Sequence, residues 1–123
     1  MPWNLQSDRP IYIQLLENIE LQIISGKYAP GDKLPSVRDL AMEASVNPNT
    51  MQKALSELER MGLLYTQRTA GRFITEDINM IKELKNSFAE EHIKEFFEKM
   101  KMLGFEKEEI LSLIENSIKE ENS

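Results

Sequence analysis

The 123-residue sequence has no cysteine and one histidine. Disulfides and thiolate metal sites are therefore excluded, and His92, even with Glu95 one helical turn away, is a weak anchor for a metal ion. No apolar run approaches the roughly 18 residues that a membrane helix needs. The first ten residues, MPWNLQSDRP, lack a basic stretch followed by an apolar one. No secretory leader is expected, and the cytoplasm is the expected compartment. Gly-rich phosphate loops, serine-triad patterns and internal repeats are also absent. Without a nucleophile beside a base, or a metal, no enzyme is expected and no cofactor is called for.

Net positive charge is lacking too. The formal charge is −6, which at first sight disfavours a polyanionic partner, because phosphate neutralisation supplies much of DNA affinity. The distribution answers this. All five arginines precede Ile78, and Ala44 to Ser56 carries no acidic residue. Between Lys33 and Arg72 stand six basic and four acidic residues, whereas Ile78 to Ser123 holds seven lysines against eleven glutamates. A local basic face on an acidic chain suffices for DNA contact.

What is present is helical periodicity. Pro10 suits the opening of a helix, and Ile11, Leu15, Leu16, Ile19, Ile23 and Ile24 recur on one face up to about Ser25, with Gly26 as the stop. Asp32 to Leu34 suggests a short strand. Ser36 is an N-cap for a second helix, with Asp39 three residues on. Val37, Leu40 and Ala41 face its core, leaving Arg38 outward. Ser45 and Val46 end it, Asn47 caps the next, and Pro48 takes the first position of that third helix. So short a turn between two helices is the helix-turn-helix pattern.

The third helix runs from Pro48 to about Met61. Its buried stripe is Met51, Ala54, Leu55 and Leu58, and its other face shows Asn49, Thr50, Gln52, Lys53 and Ser56. Such side chains donate to phosphates or read base edges in a major groove. Two strand candidates, 63–67 and 72–75, flank Arg68-Thr69-Ala70-Gly71. This places Arg68 and Arg72 near the tip of a hairpin, with Gly71 free to take a positive φ.

From Glu76 the pattern changes to one long amphipathic helix, with Thr75 as its expected cap, marked by Ile78, Ile81, Leu84, Phe88, Ile93, Phe96, Phe97, Met100 and Leu103. Gly104 breaks it, and Ile110, Leu111, Leu113, Ile114 and Ile118 mark a last helix. Two helices cannot bury that much apolar surface between themselves. Docking against the first domain is one way to cover it and pairing with the same helices of a second copy is another; the second is favoured, because DNA-reading modules commonly act as symmetric dimers. The expected interface comprises Ile81, Leu84, Phe88, Phe96, Phe97, Met100, Ile110 and Ile114.

Three stretches, PIYIQLLENIELQIISGKYAPGDKLPSVRDLA, VNPNTMQKALSELERMGLL and TAGRFIT, resemble the GntR family of bacterial transcription regulators. The match covers residues 9–75, with GDKLPSVRDLA followed by VNPNT as its specific signature. Most branches carry a large ligand-binding or aminotransferase-like domain beyond this point. This chain has fewer than fifty residues there, similar to the small YtrA-like branch with its short dimerisation tail. The resemblance implies DNA contacts by Arg38, by Asn49, Thr50, Gln52 and Lys53 at the start of the recognition helix, and by the wing glycine Gly71 with Arg68 and Arg72 beside it. Pro48 stands where many members have arginine, and TAGR replaces a commoner GxGT-like wing, so operator preference should differ from those relatives.

The expected fold is mainly α with a small β-hairpin wing: a winged helix-turn-helix over residues 1–75, then two C-terminal helices over 76–123. The expected function is a sequence-specific DNA-binding regulator, a repressor, bound as a homodimer to a palindromic operator. Two alternatives stand beside it. One is a winged helix used for protein contact. The other is a switch in which the tail senses a metal or a hydrophobic small-molecule effector.

Overall fold

The computed structural model describes residues 3–122. Its elements are α1 (Ile11–Ile24), α2 (Val37–Ala44), α3 (Pro48–Arg60), β1 (Leu64–Gln67), β2 (Gly71–Ile74), α4 (Ile78–Met102) and α5 (Lys107–Glu121). The fold is mainly α, with one antiparallel two-stranded hairpin, as the periodicities predict. Two compact units divide between Leu84 and Lys85. Helix α4 gives its first turns to one and the remainder to the other, and each unit is described by itself.

The first unit is built around α3. Met51, Ala54, Leu55 and Leu58 recur at three- and four-residue spacing, so they share one face, and all are fully buried. Against them pack Leu15, Ile19 and Ile23 of α1 and Leu40, Ala41 and Ala44 of α2. Burying one such leucine is worth roughly 1.5–3 kcal/mol, so the stripe holds α3 firmly while its opposite face stays in solvent. Met80, Ile81 and Leu84, at the start of α4, also pack on this core. Ile81 and Leu84, expected at a subunit interface, are thus engaged with the core of their own chain, because the alternating apolar rows of α4 begin before the tail does.

Local chemistry sets the helix-turn-helix angle. The Ser36 hydroxyl accepts from the Asp39 backbone N–H at 3.1 Å, capping α2. That helix ends on Ser45 in the left-handed conformation (φ 58°), which turns the chain so that the Val46 N–H donates to the Ala41 carbonyl at 2.9 Å. Asn47 Oδ1 then accepts from the Asn49 N–H at 2.7 Å, and Pro48 occupies the first turn of α3. At α4 the cap is Asp77, whose Oδ1 accepts from the Met80 N–H at 3.1 Å. Thr75, the expected cap, instead accepts from the Asp77 N–H at 3.1 Å and sets the preceding turn.

The hairpin pairs Leu64 with Ile74, Tyr65 with Phe73, Thr66 with Arg72 and Gln67 with Gly71. Leu64 and Ile74 are buried, while Tyr65 and Phe73 stack on the other face at 5.7 Å. The expected strand at residues 32–34 shrinks to one bridge between Lys33 and Phe73. It is fastened by the Leu34 N–H to the Arg72 carbonyl (2.9 Å) and the Ile74 N–H to the Asp32 carbonyl (2.8 Å).

The segment before α1 is tied to that helix by a buried amide. Gln14 accepts from the Gln6 N–H at 2.7 Å and donates to the carbonyls of Gln6 (2.7 Å) and Arg9 (2.9 Å). Asn18 donates to the Trp3 carbonyl at 3.3 Å, and Trp3 joins the core.

The second unit is a helical hairpin of α4 from Lys85 onward and α5. Gly104 (φ 93°) makes the break, and the Glu106 N–H donates to Glu109 Oε1 at 3.0 Å at the entry to α5. Ile110 is its one buried hydrophobic residue among those described. Being fully enclosed by its own chain, Ile110 has no surface left for a partner, contrary to expectation.

Candidate nucleic-acid interface

The buried stripe of α3 turns Asn49, Gln52, Lys53 and Ser56 into solvent, with Thr50 half-buried at the margin. The helix N-terminus carries no acidic residue in its first turn, so its free N–H groups and partial positive charge are available to an anion. Gln52 Nε2 donates to Ser56 Oγ at 3.2 Å, a bond that orients the amide along the helix. Lys53 Nζ lies 3.8 Å from the centre of the Tyr12 ring on α1, which holds the ammonium without neutralising it.

The basic side chains up to Leu84 sort by partner. Arg9 pairs with Glu17 at 2.7 Å, Lys27 with Glu43 at 3.8 Å, Arg60 with Glu57 at 2.8 Å and Arg72 with Glu59. The hydrogen bond from Arg60 also holds the Glu57 carboxyl below its usual range. Among the described residues Lys33, Arg38, Lys53, Arg68 and Lys82 make no ion pair. Apart from Lys82 on α4, these cations stand at the start of α2, the start of α3 and the wing. In a chain with 21 acidic residues against 15 basic ones, cations without an ion pair at those three places are available to a polyanion.

The wing arginines part company. Arg68 lies exposed in the turn closed by the Ala70 N–H to the Gln67 carbonyl at 3.0 Å. Arg72 does not project from the tip. Strand alternation puts it on the same face as buried Ile74, where its guanidinium binds Glu59 of α3 and keeps only 20% of its side-chain surface. The period-two signal in the sequence, with Ile74 as the inward anchor, carried this information. Gly71 opens β2 at φ 109°, a conformation that L side chains resist.

Among the described residues no three of His, Cys, Asp and Glu converge to hold a metal ion, and His92 is exposed on α4. None of the helices is long and apolar enough to cross a membrane, among the residues described.

Residues 11–74 match the model for bacterial regulatory proteins of the gntR family. Among proteins of known sequence, the chain is 44% identical over 106 residues to the HTH-type transcriptional regulator YhcF of Bacillus subtilis, covering 86% of this chain and 88% of that one. It is 38% identical to the HTH-type transcriptional repressor YtrA of the same organism, over 85% and 82% of the two chains. A GntR family transcriptional regulator from Listeria monocytogenes superposes with a TM-score of 0.83 at 39% identity, over 91% of this chain and 98% of that one. The DNA-binding domain of AraR, solved in complex with operator ORX1, superposes at a TM-score of 0.53 and 33% identity, over 58% of this chain and 88% of that one. A helix-turn-helix with an acid-free reading face, an unpaired set of cations around it and this likeness along most of its length leave one assignment: the chain belongs to the gntR family of bacterial regulatory proteins and is a DNA-binding transcriptional regulator, not an enzyme.

Proposed function

We propose that this regulator is a cytoplasmic repressor that binds a palindromic operator as a homodimer. The observation that carries the DNA contacts is the sorting of cations. Arg38, Lys53 and Arg68 make no ion pair among the described residues, whereas Arg9, Lys27 and Arg60 are each paired with a glutamate. In this reading α3 lies in the major groove, Asn49, Thr50 and Gln52 meet base edges or phosphates, Arg38 grips at the start of α2, and Arg68 with the Gly71 turn reaches the flanking backbone or minor groove. Arg72 serves by bracing the wing against Glu59.

The dimer is carried by the second unit. Phe96, Met100, Leu113, Ile114 and Ile118 line an open, mainly apolar groove of about 590 Å³ between α4 and α5. Phe97, Leu111 and Ile114 line another of about 510 Å³. A second copy supplying the same helices would close both, and a pair of reading heads matches two half-sites. Repression follows the names of relatives such as YtrA.

The test begins with duplexes enriched from a random pool by the wild-type protein. Arg38→Ala should weaken binding to the enriched duplex by about 1–3 kcal/mol if it reads a base, and sedimentation should give two subunits per particle. An enriched sequence without two-fold symmetry, or a monomer with undiminished affinity, would remove the dimeric part of the proposal.

A further inference from the structure

Lys33 has no role in the contact set above, yet its placement is specific. Its backbone is bridged to Phe73 and flanked by two hydrogen bonds to β2, so residue 33 is fixed in register along the wing. The bridge puts its side chain on the face that carries Phe73 and Gly71, where diagonal neighbours two residues apart come within reach. The stem lies across Gly71. A Cβ at that position would stand 3.2 Å from Cε and 3.9 Å from Nζ of Lys33. The ammonium therefore rests over the start of β2, in a groove of about 880 Å³ whose walls include Ser36 at the start of α2 and Arg68 in the wing turn. No carboxylate pairs with it among the described residues.

We infer that Lys33 is a DNA-backbone contact: its ammonium seats a phosphate in the groove between the wing and the start of α2. The inference rests on the DNA-binding mode proposed above and adds to it. In that mode the backbone that Arg38 grips at one side and Arg68 at the other runs past this groove, so a phosphate between them meets a cation already in place. Lysine suits the task as a point charge on a flexible stem, where a base-reading site would favour a planar fork. The contact is therefore one of affinity, without sequence preference.

The experiment compares wild type, Lys33→Gln and Lys33→Arg on a duplex enriched by the wild-type protein and on a scrambled duplex, across a range of salt. Removing one phosphate contact should lower the slope of log affinity against log salt by about one, and weaken both duplexes by the same factor. Lys33→Arg should keep the wild-type slope. An unchanged slope in Lys33→Gln overturns the inference while leaving the wider reading intact, as does a loss confined to the enriched sequence. Unfolding midpoints equal to wild type separate a lost contact from a damaged wing. A wild-type protein that enriches no sequence and shows no salt-dependent binding overturns both.

Discussion

Among the described residues, fifteen hydrophobic side chains up to Leu84 are buried in one cluster, and from Lys85 onward only Ile110 is. Conversely, seven of the eleven large hydrophobic residues left exposed lie in that second stretch: Ile93, Phe96, Met102, Leu103, Leu111, Leu113 and Ile118. The two regions use the same apolar residues at the same helical spacing. What differs is the number of layers. Three helices and a hairpin enclose an interior, whereas two helices form a single layer with a seam and two outer faces. The first region is finished by its own chain. The second leaves large apolar side chains in solvent.

That contrast can be broken most forcefully inside the first region. Leu55→Ala should cost about 2–5 kcal/mol, lowering the chemical denaturation midpoint equally at every protein concentration. A dependence on concentration would mean that the first region also relies on a partner. Phe96→Glu should act in the opposite manner. It should leave the first region's midpoint alone, abolish the sedimenting dimer and reduce affinity for a symmetric duplex about tenfold or more, because one head is then held without the other. A protein that stays dimeric would mean that a different face completes the second region.

A pH series sharpens the comparison further. Burial, and secondarily the charge of Glu17, pushes the Glu20 carboxyl from 4.5 up to about 7. Between those values the folded chain keeps a proton that the unfolded chain has released, so the contribution of this carboxyl to stability is fully present below pH 4.5 and is lost as pH rises through 7. The loss should be on the order of 1 kcal/mol after solvent screening, confined to the first region and flattened in Glu20→Gln. The smallest effect is expected at the helix-turn-helix corner. Asn47→Ala should cost about 1 kcal/mol through loss of the α3 cap, measured as a small drop in midpoint with a matching small loss of DNA affinity.

Much of this was legible in the sequence, for identifiable reasons. Ser36, Asn47 and Pro48 are local signals, so the helix-turn-helix could be placed to the residue. The stripe Met51, Ala54, Leu55 and Leu58 showed which face of α3 is free. What escaped needed the third dimension. Arg72 reads as a tip arginine by position; its spacing from Ile74 marks it as inward, but only the fold shows Glu59 as its partner. Lys33 reads as part of a short strand, but only the bridge to Phe73 sets it over Gly71. Gln14, polar and in the first turn of α1, gave no sign that it would clasp the segment before that helix. The tail was half legible, because periodicity reveals an apolar face without saying what covers it. Ile81, Leu84 and Ile110 proved to be used within the chain, whereas Phe96 and Met100 line an open groove.

The clasp around Gln14 and Asn18 has a spectroscopic consequence. It draws Trp3, the sole tryptophan, into the core of the first region, where 8% of its surface remains exposed. Selective excitation of that indole therefore follows the fate of the reading head and is silent about the tail. Ellipticity reports every helix, so the two signals recorded on one sample give separate unfolding curves for the two regions without any label.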